Sequence, residues 1–536
     1  MTLLRLTLLR RLALTVCAVC ALSLTGCLVG PDYAKPAVPL KDQWTDIAHP
    51  RLFGECADTA GWWNHFGDPD LNYLVNTAYE ENLTLRQAGM RIEESRANLG
   101  VARGNLGPQQ QDIYGNFTRS RISQNRQNIF PGQALSNQNI SLGLEGAWEL
   151  DFWGRFRRAI QAASGELDAS VENYDDVLVI LISDTANNYI DMRTFEQRVQ
   201  LAQQNVEIQT GTFKLVQAKF DAGTVSVLDV AQAETQLAQT EALIPALETA
   251  RRQASNRICV LMGQPSRDLG VELGITNKIP VPPPSVAVGV PADLLRQRPD
   301  IRRAERQLAA QSARIGVATS EFYPHFSVSG VIAYDAVNIG KLIQPESIGG
   351  SIAPQFRWNV LNWGRIRNGV LLQDATFQRL AYAYQNQMVV ADQEVENAII
   401  AYLQGHERVA ALERAVKAAQ LAVDKVTEQY RIGVTDFNRV FLLQAALVQQ
   451  QDALASARGD VAKSLVALYR ALGGGWEIRL GQDGEIARLP PPSPEALEKL
   501  KPKKFEAIAP GEKVGPGENE PSPDPQDKPA APAAGR

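Results

Sequence analysis

The feature that most constrains the fold is an internal duplication. The segment Trp148–Arg155 (WELDFWGR) matches Trp358–Arg365 (WNVLNWGR) at an offset of 210 residues. Further matching pairs at nearly the same spacing are Phe220–Gly223 with Tyr430–Gly433, Gly100–Ala102 with Gly316–Ala318, and Pro108 with Pro324. Self-similarity at a fixed spacing indicates two copies of one supersecondary unit. We therefore expect two halves with the same order of helices and strands.

Each half contains a long helical pattern without proline. Apolar residues recur three and four positions apart over Val199–Phe220 and again over Val409–Tyr430. Such heptad spacing is typical of helices that pair lengthwise, as in coiled coils. The pattern extends over about 155–222 and 365–432, and each run makes a rod of about 100 Å at ~1.5 Å per residue. Rods of this length must pack against similar helices.

A glycine ends each long helix. Gly223 and Gly433 follow the last heptad positions, and Ser226 and Asp436 come three residues later. Glycine is the usual residue after a helix C-terminus, and Ser and Asp side chains cap helix N-termini. We therefore predict two helical hairpins with tips at Gly223 and Gly433, at the pole away from the strands.

Strand patterns lie between the helices. Apolar residues take every second position over 140–150 and 348–360, also over 326–334, and less regularly over 114–121. A period of two predicts β-strands. Four strands cannot close a membrane barrel, because the smallest single-chain barrels have about 8 strands and open edges are not tolerated in lipid. The strands must therefore close by oligomerisation, and their pattern leaves open whether a dimer or a trimer forms.

The N-terminus has the pattern of a bacterial lipoprotein. Three arginines precede an apolar stretch, residues 12–24, which is too short to span a bilayer as a helix. Leu24–Cys27 (LTGC) resembles a lipobox, so we interpret residues 1–26 as a signal peptide and Cys27 as the lipidated N-terminus. Leu28 after the cysteine favours the outer membrane. The alternative is an ordinary signal peptide that contains a cysteine.

Composition and motifs exclude several classes of function. The net charge is −5 without a basic excess, which argues against a nucleic-acid partner. The four histidines have no metal-ligand spacing, and the phosphate-loop, zinc-protease and nucleophile-elbow motifs are absent from the sequence. We therefore expect no enzyme activity, no metal and no cofactor other than lipid on Cys27. Cys56 and Cys259 remain in the mature chain, either paired or free.

These observations divide the chain into successive segments. They are a signal peptide (1–26), a lipidated N-terminal segment (27–69), a first helix-strand-strand-helix repeat (70–262), a Pro-rich linker or equatorial segment (263–291), a second repeat (292–473), and a C-terminal segment with a disordered Pro-rich tail (474–536).

Five motifs in order resemble the TolC-like outer-membrane efflux proteins, in the lipoprotein branch called NodT-type. They are Gly30–Tyr33, Trp62–Leu71, Trp148–Gly154, Arg298–Glu305 and Ala471–Trp476. The resemblance implies an α+β fold with four transmembrane strands per chain and a homotrimer that forms a 12-stranded β-barrel continued by a 12-helix periplasmic α-barrel. It also implies a periplasmic adaptor and an inner-membrane RND-type transporter as partners.

The function that the resemblance implies is an outer-membrane exit duct. Anchored by lipid and extending into the periplasm, it would passively export small molecules such as drugs and contribute to multidrug resistance. Two alternatives stay open: the outer-membrane component of a type I secretion system, and a coiled-coil lipoprotein that is structural and does not conduct.

The resemblance also implies functional residues at both ends of the long helices. Asp229 and Tyr430 match a carboxylate–tyrosine pair that holds related ducts shut, and Asp436 is the nearest carboxylate at the second tip. The alternative is that Asp229 and Asp436 only cap helices while Tyr430 is a coiled-coil core residue.

Contacts with other molecules are expected at four further positions. The tips at Gly223 and Gly433 are predicted to contact the adaptor. Trp153 and Trp363 are predicted membrane-interface aromatics, with packing at a sharp turn as the alternative.

Overall fold

A computed structural model describes residues 27–38, 41, 43–54, 59–125, 130, 132, 134–276, 278–289 and 295–480. The predicted signal peptide, Cys56 and the predicted disordered tail lie outside the described residues. Among the helices of the described part, none is both long and apolar enough to cross a membrane.

The helices of the described part include three pairs of equal length, with one member of each pair in either half. In chain order, the helices are α1 (Pro69–Glu81), α2 (Leu83–Gly104), α3 (Arg155–Asp221), α4 (Val227–Leu261), α5 (Leu269–Leu273), α6 (Pro299–Ser320), α7 (Arg365–Arg431) and α8 (Phe437–Ala471). The two longest, α3 and α7, have 67 residues each, which corresponds to about 100 Å. The sequence placed their ends at Ala222 and Ile432, and these residues are the C-caps. The prediction of two long helices is confirmed to within one residue.

The strands form two separate sheets. They are β1 (Leu52–Phe53), β2 (Gln110–Arg121), β3 (Ser136–Leu150), β4 (Val286–Ala287), β5 (His325–Ala336) and β6 (Ile348–Arg357). The larger sheet is antiparallel in the order β2-β3-β5-β6, so β2 and β6 are its two edges. The two-residue strands β1 and β4 pair in parallel, and β4 lies within the segment predicted as the Pro-rich linker.

The last strand of the second half, β6, ends earlier than the sequence pattern predicts. The alternation predicts Trp358 and Val360 in the strand, but β6 ends at Arg357. The pairing of β6 with β5 ends at Arg357 opposite His325, and beyond it the Val360 N–H donates to the Trp358 carbonyl at 3.2 Å. The Trp358 indole N–H donates to the Phe322 carbonyl at 3.0 Å. The mirrored contact in the first half is a 3.1 Å hydrogen bond from the Trp148 indole to the Leu106 carbonyl.

The apolar core is concentrated along the helices. The largest buried cluster joins α1, the middle of α3 and α7, and the C-terminal parts of α4 and α8; its members include Trp62, Leu74, Tyr189, Ile258, Tyr402 and Leu465. A second cluster lies at the hairpin tips. The large sheet instead exposes one apolar face, with Ile113, Phe117, Ile352 and Phe356 each more than half exposed. Elements from both repeats therefore form one helical body, and its sheet presents apolar residues outward.

Candidate functional site

The two hairpin tips have the same backbone design. Gly223 and Gly433 have positive φ values of 70° and 81°. The next N–H in each turn donates to a carbonyl five residues back, Thr224 to Lys219 and Val434 to Gln429, at 2.9 Å in both cases. This arrangement satisfies the last carbonyls of α3 and α7 and requires the left-handed conformation that glycine adopts without strain. The predicted hairpins are confirmed.

Asp229 and Asp436 cap the returning helices. The Asp229 carboxylate accepts hydrogen bonds from the Ser226 N–H at 3.0 Å and from its hydroxyl at 3.3 Å, which completes a capping box. The Asp436 carboxylate accepts from the Arg439 N–H at 3.1 Å. Both carboxylates therefore have a local structural task, and their predicted part in a gate stays a prediction.

Tyr430 lies in the apolar cluster at the tips. Its ring packs edge-on against Phe437 with 5.5 Å between centroids, among Val216, Val426 and Val440. Burial raises the pKa of the Tyr430 hydroxyl, and the Asp229 charge raises it further. The hydroxyl is buried without a hydrogen-bond partner within the described part of this single chain. The carboxylate and the phenol are thus neighbours, but no direct hydrogen bond joins them.

Lys219 connects the two tips, although it was not among the predicted site residues. Its Nζ donates to the main-chain carbonyl of Tyr430 at 2.6 Å and lies 4.4 Å from the centre of the Tyr430 ring. A charge-assisted hydrogen bond and a cation–π contact therefore bind the end of α3 to the end of α7. At the repeat offset of 210, Lys219 corresponds to Gln429. This difference between the halves was the sequence signal that could have pointed to Lys219.

The outer surface of the tips carries large apolar side chains. Those that are more than half exposed are Val227, Leu228, Ile432, Val434 and Leu442. They surround the turns at Gly223 and Gly433. Clustered exposed apolar residues are typical of a surface that binds another protein.

The two tryptophans predicted at the membrane interface have different environments in the structure. Trp153 is half-buried: its ring stacks on Tyr323 with 4.6 Å between centroids, and its indole N–H donates to the Pro324 carbonyl at 2.9 Å. Trp363 occupies the matching position in the second half but is fully exposed. Its φ of 51° lies in the left-handed region, which bulky residues rarely adopt. Trp153 therefore packs at a turn, while the role of Trp363 stays a prediction.

The N-terminal segment is bound at the same junction as Trp153. The Val29 N–H donates to the Trp153 carbonyl at 3.2 Å. Arg158, which is buried, donates from Nε to the Val29 carbonyl and from Nη2 to the Gly30 carbonyl, both at 3.1 Å. The third guanidinium nitrogen of Arg158, Nη1, pairs with Asp32 at 2.9 Å. Arg158 thus holds the segment that begins at Cys27.

Close backbone packing accompanies these bonds. A side chain at Gly30 would overlap the backbone of Gly316 in α6, and one at Gly154 would overlap Leu28. Cys27 itself is exposed at this junction, where β3 passes into α3. Arg158 was not among the predicted site residues, although it differs from its repeat counterpart, Asn368.

Buried ion pairs hold the middle of the helical body together. Asp175, fully buried on α3, accepts hydrogen bonds from Arg479 and Arg302; burial nevertheless raises its pKa, and the two arginines oppose this shift. Arg298 pairs with Asp300 at 2.9 Å and with Glu394 at 2.7 Å. These contacts join α3, α6 and α7. In the described ranges there is no group of three or more His, Cys, Asp or Glu residues that could hold a metal ion.

Comparisons with known proteins agree with this arrangement. The model of the outer membrane efflux protein family matches residues 74–264 and 290–474, one segment for each repeat. Nodulation protein T of Rhizobium leguminosarum bv. trifolii is 31% identical over 85% of this chain and 96% of that protein. The toluene efflux pump outer membrane protein TtgC of Pseudomonas putida is 27% identical over 89% of this chain and 98% of that protein.

A solved structure has the same fold. The outer-membrane channel OprN superposes with a TM-score of 0.77 and 30% sequence identity, over 84% of this chain and 100% of that one. The α+β fold implied by the motifs is therefore confirmed. The chain belongs to the outer membrane efflux protein family, and it is an efflux protein of the outer membrane that extends into the periplasm.

Proposed function

We propose that three copies of this chain close into one continuous exit duct. The observation that carries the proposal is the four-stranded sheet, whose edges β2 and β6 have no strand partner within the described part of the chain. Three such sheets side by side give a 12-stranded barrel, which satisfies the edge hydrogen bonds that lipid cannot satisfy. The hairpins α3–α4 and α7–α8 would continue the barrel as a tube of 12 helices.

Lipid on Cys27 would fix the orientation of the duct. Arg158 and Gly30 hold the N-terminal segment beside the junction of β3 and α3, so an acyl chain on Cys27 would enter the membrane where the barrel meets its inner surface. More than one acyl chain gives stable attachment. The tips then lie at the opposite, periplasmic end.

The tips are the proposed binding site for a periplasmic adaptor. The exposed apolar residues around Gly223 and Gly433 offer a surface for a partner protein. An inner-membrane transporter of the RND type would supply the energy, and the duct itself would catalyse no reaction. We propose small molecules such as drugs as cargo, in line with the toluene named for the relative TtgC.

The proposed gate lies where the two tips meet. Tyr430, Asp229 and Lys219 lie together there, and Asp436 begins the next helix. Movement of one hairpin away from the other would break the Lys219 contact and expose Tyr430 to water. The duct would thus open by separation of the tips rather than by unfolding of either hairpin.

Planar-bilayer recording tests the duct directly. The purified protein should run as a trimer in native mass measurements, and it should conduct ions with a higher open probability after Lys219→Met. Persistent electrical silence of the wild type and of this variant would contradict the duct and favour a structural lipoprotein.

Growth assays separate efflux from protein secretion. A deletion strain should become more sensitive to small toxic compounds while its protein export is unchanged. Loss of an exported protein with unchanged drug susceptibility would instead favour a type I secretion role.

A further inference from the structure

The exposed Trp363 is the one member of the repeated Trp–Gly junctions that lacks its counterpart's contact. Trp153 uses its indole N–H on the Pro324 carbonyl, whereas Trp363 is 100% exposed. We propose that Trp363 donates the same hydrogen bond to the main-chain carbonyl of Pro108 in the next copy of this chain, and that it marks a defined register between β6 and β2 of that copy. The proposal rests on the oligomeric duct proposed above.

The register follows from the duplication. Within the chain, β3 pairs with β5 so that Trp148 lies opposite Val328. Trp148 corresponds to Trp358 in the second half. In the first half Ala147 lies opposite Gln110, and in the second half its counterpart Arg357 lies opposite His325. His325 on β5 therefore corresponds to Gln110 on β2, at an offset of 215. Val328 therefore corresponds to Ile113. Trp358, the residue after the end of β6, should lie opposite Ile113 of the next copy once pairing with β2 extends β6.

The alternation of faces independently excludes registers that are shifted by one residue. Ile113 lies opposite Leu144, and Leu144 lies opposite Ile332, so all three share the apolar face. Phe356 shares that face through its pairing with Phe326, and Trp358 is two residues further along the chain. A slip of one residue would set Trp358 opposite Asp112, on the polar face. Because side chains alternate with a period of two, such a slip would reverse the faces of the whole edge.

The indole contact follows from the segment before the strand. There the two halves correspond at the offset of 216, which relates Pro324 to Pro108 and Tyr323 to Gly107. Gly107 has no side chain at the position where Tyr323 stacks on Trp153, and a Cβ there would meet only the Gly104 carbonyl oxygen, at 3.7 Å. The Trp363 ring can therefore lie over Gly107 of the next copy while its N–H reaches the Pro108 carbonyl. The second junction is thus complete only when a neighbouring copy is present.

Disulfide trapping in the full-length protein tests the register. In a background with Cys56→Ser and Cys259→Ala, Trp358→Cys is combined with Ile113→Cys in the same chain. Residues directly opposite each other on antiparallel strands have Cβ separations near those that a disulfide needs. Mild oxidation in membranes should give covalent dimers and trimers on non-reducing gels. The matched control pair, Trp358→Cys with Gly115→Cys, is shifted by two residues on the same face. It should give at least about fivefold less covalent dimer and trimer.

Two variants test the indole contact. Trp363→Ala should speed subunit dissociation on the order of tenfold or more, as for tryptophans at the centre of interfaces. Trp363→Phe, which keeps an aromatic ring but removes the donor, should have an intermediate effect. The far-UV circular dichroism of each variant should match the wild type, which separates assembly from folding. Unchanged dissociation in both variants would overturn the contact and favour insertion of Trp363 among lipid headgroups.

The outcomes distinguish this inference from the proposed duct. A wild-type trimer that cross-links better through the shifted pair refutes the register and leaves the duct intact. A wild-type chain that is monomeric in native mass measurements refutes both. Strong cross-linking of the Ile113 pair together with faster dissociation of Trp363→Ala supports the inference.

Discussion

Replacement of Lys219 by methionine should loosen the contact between the two hairpin tips. The Lys219 Nζ is partly buried, 2.6 Å from the Tyr430 carbonyl and 4.4 Å from the centre of its ring. A charge-assisted hydrogen bond contributes about 1.5–3 kcal/mol, and an exposed cation–π contact about 0.5–1 kcal/mol. With allowance for solvent at this half-buried site, we expect a loss of about 2 kcal/mol, or about 30-fold in the ratio of docked to separated tips.

Methionine isolates the polar contribution because it retains an unbranched apolar stem. The matched control is Lys214→Met on the same helix, where the side chain is exposed. Both variants remove one positive charge, so a general change in the field of the tube would affect them equally. Only the loss of the Tyr430 contact distinguishes them.

Two measurements check this expectation. Open probability in planar bilayers should rise sharply for Lys219→Met and change by less than about twofold for Lys214→Met. Amide hydrogen exchange gives a readout independent of conduction, since the Gly433 N–H shares the Tyr430 carbonyl at 3.1 Å and exchanges through local opening of the tip. Equal rates of amide exchange around Gly433 in the two variants would refute the proposed role of the Lys219–Tyr430 contact.

Three further predictions concern other parts of the chain. Arg158→Ala should free the N-terminal segment to proteolysis, at a cost of about 2–4 kcal/mol, because two carbonyls lose a charged donor; an intact segment would contradict this. Gly433→Ala should lower the free energy of unfolding by about 1–2 kcal/mol, because alanine is strained in the left-handed conformation. Gly211→Ala, in mid-helix with open space around it, should raise the free energy of unfolding by about 0.5–1 kcal/mol. Melting temperatures that shift in the same direction for both variants would refute the reasoning. Burial lowers the pKa of His406 below its ordinary 6.5, so the unfolded state binds more protons and stability should fall as pH drops below about 6.5; His406→Gln should show a shallower decline.

The helices and tips could be predicted from the sequence because their signals are local. Heptad spacing, a glycine after the last turn and a capping side chain lie within a few residues of the boundaries they set at Ala222 and Ile432. The large sheet was also predictable from its alternation. The end of β6 was not, because it depends on pairing: Trp148 stays in β3 through its pairing with Val328 of β5, whereas the pairing of β6 with β5 ends at Arg357.

The contacts that give the site its character could not be predicted in this way. Lys219 is an ordinary polar position of the heptad pattern, and its importance arises only when α7 is packed beside α3. Arg158 lies four residues after the Trp153–Gly154 turn and would be solvated there if the N-terminal segment did not cover it. Both depend on pairs more than 100 residues apart in sequence, which periodicity cannot detect.

The differences between the repeats carry information that their similarity does not. A strict duplication would place the same contacts at both junctions and both tips. Instead, Arg158 becomes Asn368, Lys219 becomes Gln429 and Phe220 becomes Tyr430. The first junction thereby binds the chain's own N-terminal segment, while the junction at Trp363 is left uncovered.

This asymmetry has a consequence for an assembled duct. Gly100 and Gly316 are equivalent glycines, so the groove that receives Gly30 beside Gly316 should recur beside Gly100 of the neighbouring copy. Asn368 offers a shorter, neutral amide in place of the guanidinium of Arg158, so the charged donor that holds the carbonyls of the N-terminal segment is missing from that position. Three anchored segments would therefore alternate with three bare junctions around the tube, and the bare ones are where Trp363 makes contact between subunits.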